Sequence, residues 1–127
     1  MADPIDGASV GAAELDAVTE AMVGLHERYH GRKPATARTQ FMGDDMLACL
    51  LGDVYTNVEK TMIEMQRKAM VQETRRAFQR AMERRFIGAV ERITNRRVTQ
   101  FLSTHHVGPD LELELFLLEP LAEEQRR

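Results

Sequence analysis

The sequence has no tryptophan, two tyrosines and five phenylalanines, so aromatic residues make up only 6% of its 127 positions. That removes the usual stacking platform of a single-stranded nucleic-acid binder. It has one cysteine, Cys49, which excludes an intrachain disulfide and suits a reducing compartment. Cys49 lies in an apolar run with no histidine or other base beside it, the setting of a buried thiol that acts as a small hydrophobe. Long hydrophobic runs are missing too. The longest uncharged stretch, Val98 to Pro109, contains Thr, Gln, Ser and His and falls short of the roughly 20 apolar residues of a membrane span. The opening Met1-Ala-Asp-Pro-Ile-Asp6 lacks the basic and apolar segments of a signal peptide. These absences predict a soluble, cytoplasmic chain. G-x-S-x-G, Walker A, Rossmann-glycine, C-x-x-C and G-x-x-G patterns are also missing, so the expectation is a non-enzymatic protein that uses no cofactor.

Charge is plentiful but unevenly placed. The chain carries 17 Lys/Arg and 20 Asp/Glu, for a formal net charge of −3. Residues 59–97 hold 11 Lys/Arg against 5 Asp/Glu, and the remainder holds 6 against 15. The mild total argues against indiscriminate nucleic-acid binding. The split predicts a basic surface set against acidic flanks.

The length suits one domain. Residues 1–11 are small and polar and predict a disordered tail. From residue 12 the pattern is helical: Leu15, Val18, Met22 and Leu25 form a stripe, and Gly31 and Pro34 stop it. Residues 35–42 and 46–51 read as strands around the turn Gly43-Asp44-Asp45, a β-hairpin. Thr56-Asn-Val-Glu59 has the form of a capping box. The helix it starts runs to about Thr94, roughly 37 residues or about 55 Å. Six- to eight-residue strands span only about 20–27 Å. The helix therefore breaks around residues 66–70 or packs its excess on a second subunit. Asn95 is a plausible C-terminal cap, Val98 begins a strand, residues 104–110 turn the chain, and Leu111 to Leu118 alternates as the last strand. The order is α-β-β-α-β-β. The expected fold is one α+β domain over residues 12–120, with a four-stranded, mostly antiparallel sheet carrying helices on one face. Residues 121–127 read as a charged tail.

Three constellations are candidates for function. Arg75, Arg76, Arg80, Arg84, Arg85 and Arg92 cover much of one side of the long helix and could meet a protein partner, an anionic surface or nucleic acid. The plain alternative is a solvated face paired with the acidic strand and tail of a second subunit. Val71, Phe78, Met82, Phe86 and Val90 form an apolar stripe that predicts a homodimer surface. His26-Glu27-Arg28-Tyr29-His30 satisfies H-E-x-x-H, which on a helix can bind zinc with the glutamate as general base. Here the second histidine falls at the helix's end with no clear third ligand. The reading preferred is therefore exposed residues near a helix C-terminus and no metal, with a zinc hydrolase as a minor alternative. His105 and His106 read as part of a solvated loop, or else as a metal corner or pH-sensitive contact.

Four segments carry a family resemblance: Tyr29-His-Gly-Arg-Lys-Pro34, Leu50-Leu-Gly-Asp-Val-Tyr-Thr-Asn-Val-Glu-Lys60, Val90-Glu-Arg-Ile-Thr-Asn-Arg-Arg-Val98 and Glu114-Leu-Phe-Leu-Leu-Glu119. Together they resemble the bacterial MpsC-type proteins over roughly residues 14–120. Tyr55 and Asn95 depart from the pattern at an aliphatic and a glycine position, and neither change threatens the fold. The resemblance implies a soluble accessory to a Na+-translocating, membrane-potential-generating system. A membrane transporter subunit is then the implied partner. No catalytic residue comes with the resemblance.

Overall fold

The structure is a computed structural model that describes residues 4–121. Its elements are α1 (Pro4–His30), β1 (Thr36–Met42), β2 (Met46–Gly52), α2 (Asn57–Glu64), α3 (Lys68–Thr94), β3 (Val98–His106) and β4 (Leu111–Leu118). Part of each predicted tail, residues 1–3 and 122–127, lies outside the described residues. Residues 4–11 of the predicted N-terminal tail belong to α1. The sheet order is β1-β2-β4-β3, and every neighbouring pair is antiparallel.

Local chemistry sets the boundaries. Gly31, with φ 74°, ends α1 and donates its N–H to the Glu27 carbonyl at 2.8 Å. The capping box at α2 forms: Thr56 Oγ1 accepts from the Glu59 N–H at 3.2 Å, and Glu59 Oε1 accepts from the Thr56 N–H at 2.8 Å. The long helical stretch is split. Gln66 takes φ 63°, and the N–H groups of Gln66 and Arg67 return to the carbonyls of Ile63 and Met62 at 3.1 and 2.8 Å. This is a left-handed helix end of the kind usually made by glycine. Asn95, with φ 56°, ends α3 in the same conformation.

The core lies between α1 and α3 on one side and the sheet on the other. Val18 and Met22 from α1 meet Leu47, Cys49 and Leu51 from β2, Phe116 and Leu118 from β4, and Val71, Met82, Phe86 and Val90 from α3. Each such side chain contributes about 1.5–3 kcal/mol by leaving water. This corrects the expected dimer surface. Four of its five residues, Val71, Met82, Phe86 and Val90, are buried inside this chain, and only Phe78 is exposed. The α3 stripe is already satisfied by α1 and the sheet. The apolar surface left over is the opposite face of the sheet, where Leu50 and Leu102 are exposed and Leu113, Leu115 and Leu117 are half-buried.

Candidate functional site

The last strand places its acidic residues inward. Glu112, Glu114, Phe116 and Leu118 are buried, while Leu111, Leu113, Leu115 and Leu117 occupy the open face. Phe116 fixes this phase: it pairs with Leu47 and with Phe101, whose ring centroid lies 4.9 Å away. The two glutamates are carried into the interior in register with it. An acidic strand free to meet the arginines of a second subunit is therefore not what forms.

Other elements converge on these carboxylates. His26, in the last turns of α1, brings Nε2 to Glu112 Oε2. Its Nδ1 donates to the Met22 carbonyl at 2.9 Å, and Phe86 stacks on the ring at 5.4 Å. His105 lies opposite Glu112 in the β3–β4 pair, with its Nε2 2.5 Å from Glu112 Oε1. Arg75, 1% exposed, reaches the same oxygen with Nη1 at 3.4 Å. Its Nε and Nη2 hold Glu59 at 2.7 and 2.6 Å, and its guanidinium lies 5.0 Å from the Tyr55 ring centroid. Gln79, one turn further along α3, donates to Glu114 Oε2 at 3.2 Å. Glu114 Oε1 has no hydrogen-bond partner among the described residues although it is fully buried.

The environment drives the two carboxyls apart. Burial pushes Glu112 up, but hydrogen bonds with Glu114, His105 and His26 outweigh it and hold Glu112 ionised, well below the usual carboxylate range. Burial, and then the hydrogen bond and negative charge of Glu112, push Glu114 well above that range. Burial likewise lowers His30 to about 4, aided by the charge of Arg75. Tyr55 rises to about 12 through burial.

The candidate residues separate accordingly. Arg75, read as part of a basic surface, is an interior residue and is corrected here: its guanidinium answers Glu59 and Glu112. Arg76, Arg80, Arg84, Arg85 and Arg92 are exposed, and no ion pair among the described residues uses them. The H-E-x-x-H residues do not act together. His26 is buried rather than exposed, Glu27 points to solvent and His30 packs on Phe78 at 5.0 Å. His105 and His106 end a strand instead of lying in a loop, and only His106 is exposed. Glu112, Glu114 and Gln79 are residues of the cluster that the sequence pattern does not single out. The one signal for them is that Glu112 and Glu114 fall in phase with Phe116.

The family model described as "Na+-translocating membrane potential-generating system (MpsC)" matches residues 15–120. The chain belongs to the MpsC family. The matched span contains every residue of the buried cluster. No curated protein and no solved structure matched the chain. The family description links it to a membrane system, and among the described residues no helix is long and apolar enough to cross a membrane. The segments that signal MpsC membership build the scaffold. Arg32 and Lys60 both bind Asp53, at 2.6 and 2.9 Å. Glu91 Oε2 accepts the Val98 N–H at 2.9 Å, and Thr94 Oγ1 accepts that of Arg96 at 3.3 Å.

Proposed function

We propose that this MpsC-family chain is a non-enzymatic accessory or regulatory protein of a Na+-translocating membrane system, and that it docks an acidic segment of a protein partner between α1 and α3. The observation that carries this reading is a set of exposed arginines that make no ion pair among the described residues, two of which, Arg28 and Arg85, lie 5.8 Å from the Tyr29 ring. Arg28, Arg85 and Arg92 outnumber the one acidic residue, Glu20, in a groove of about 420 Å³ between these helices, with Gly24, Leu25 and Gly88 also in its walls. Two facing glycines let a partner backbone approach closely, and Leu25 supplies apolar contact. Such arginines speed the encounter and fix the register with an acidic partner. Self-association, in this reading, uses the open sheet face and not the α3 stripe.

A phosphate-bearing partner is the second reading, because the same arginines could neutralise phosphates. The partly apolar groove favours a peptide. A photo-cross-linking residue at position 85 in the native cells should yield a defined adduct with one protein of the membrane fraction. The same residue at the exposed position 68, at the start of α3 away from the groove, should not. No protein adduct from position 85, or adducts with nucleic acid alone, would overturn the proposal.

A further inference from the structure

We infer that His26, Glu112 and Glu114 form a binding site for a divalent transition-metal cation of the Zn2+, Mn2+ and Fe2+ class. The three residues each offer one ligand atom, and those atoms all lie within 4.8 Å of one another. They come from two separate elements, α1 and β4, so a bound cation ties the end of the helix to the centre of the sheet.

The hydrogen bonds prepare each group as a ligand. The Met22 carbonyl can only accept, so His26 Nδ1 carries a hydrogen, and in the neutral ring the lone pair is on Nε2. That lone pair faces Glu112 Oε2. Two lone pairs repel, so a contact this close is closed by a proton, and a cation that takes the proton's place spreads the two atoms to the span of two metal ligands. A backbone carbonyl that fixes the ring through its other nitrogen is also the usual support of a metal-bound histidine.

The carboxylates are held in the same manner. Glu112 is gripped on Oε1 by His105 and Arg75, which leaves Oε2 turned to His26. Glu114 is gripped on Oε2 by Gln79, with Ser103 also beside the carboxyl, and its Oε1, which has no hydrogen-bond partner among the described residues, lies 3.7 Å from His26 Nε2. A cation with bonds of about 2.1 Å in tetrahedral geometry sets its ligands about 3.4 Å apart. Arg75 does not compete for the inward oxygens, because its closest carboxylate partner is Glu59, at 2.6 Å.

The donor set selects the class of ion. One imidazole nitrogen with two carboxylates suits Zn2+, Mn2+ or Fe2+, whereas hard cations such as Na+ or Ca2+ favour oxygen-only sets. The set shares only His26 with the H-E-x-x-H segment. A polar pocket of about 110 Å³, lined in part by Gln79, Ser103 and His105, lies beside the residues that grip the carboxylates.

The test is calorimetric titration of the chelator-treated full chain with Zn2+ alone, and separately with Mn2+, in a Na+-containing buffer. One equivalent should bind. Glu114→Gln should weaken binding by about tenfold or more, since even residues that only support a ligand cost 10–100-fold. His30→Gln should leave it unchanged. Glu114→Asp, which keeps a carboxyl group but retracts it, serves if Glu114→Gln does not fold, and should also weaken binding. Absence of stoichiometric binding to the wild type overturns the site. So does binding that survives the Glu114 variants or is lost in His30→Gln.

Discussion

Glu112 and Glu114 stand two residues apart on the same face of β4, yet their surroundings push their pKa values in opposite directions, Glu112 down and Glu114 up. The difference lies in their neighbours. Glu112 has His26, His105 and Arg75 around it, while Glu114 has the uncharged Gln79 and Ser103 and the charge of Glu112 beside it. The cluster is set by α1, α3, β3 and β4 together, so changes within it should be felt across the fold.

Arg75 is the first case. It is almost fully buried between Glu59 and Glu112. Arg75→Met leaves both carboxylates without their guanidinium, and losing one partner of a buried pair costs about 3–5 kcal/mol. Arg76→Met, one residue along on the exposed side, should stay within about 0.5 kcal/mol of the wild type. Urea unfolding of both variants measures the difference. Equal, small effects would contradict an interior Arg75.

Acid should weaken the protein partly through Glu59. Burial raises its pKa, but the hydrogen bond from Arg75 and those of the capping box outweigh this and lower it below 4.5. The group is therefore a stronger acid folded than unfolded. Its stabilisation is full above the unfolded value and is lost as pH falls through the lower folded value. Glu59→Gln should be less stable than the wild type at pH 7, and the gap should close with acidification below the folded value. A gap constant from pH 7 to pH 2 would contradict this.

Cys49 should be inert in the native state. It is fully buried, and burial pushes its thiol up to about 11, so at pH 8 both access and thiolate are scarce. A thiol reagent such as DTNB should react slowly with the native chain and rapidly in denaturant. Fast labelling of the native chain would show that β2 is not covered as described.

Gln66 holds a left-handed conformation that costs a non-glycine residue roughly 1–2 kcal/mol. Gln66→Gly should relieve part of this and stabilise by about 0.5–1 kcal/mol, after the extra freedom glycine gains in the unfolded chain. Thermal unfolding reads the sign, and a lower Tm would contradict the assigned helix end.

Much of the fold was legible because the signals are local. Gly31, the hairpin turn at residues 43–45, the Thr56–Glu59 capping box and Asn95 each act within a few residues, and each appears at the expected place. The break at Gln66 was foreseen only from length, since a glutamine does not announce a left-handed helix end. The buried cluster was not legible. Its residues come from positions 26, 59, 75, 79, 105, 112 and 114, and only the register β1-β2-β4-β3 brings them together. The H-E-x-x-H spacing pairs His26 with Glu27, which points to solvent, and with His30, whose ring lies 5.7 Å away and packs on Phe78, while Arg75 is masked by the arginines beside it on the helix. In β4, leucines on one face and Glu, Phe and Leu on the other leave the inward side undecided until Phe116 is seen packing on Phe101.

The most direct test of the proposed accessory role is the Na+-dependent membrane potential of native cells, read with a potential-sensitive dye after deletion of this chain. Deletion should lower the potential. Wild-type protein and Lys68→Glu, at the exposed start of α3 away from the groove, should restore it, while the groove variant Arg85→Glu/Arg92→Glu should not. An unchanged potential on deletion, or full restoration by the groove variant, would contradict docking at the α1–α3 arginines.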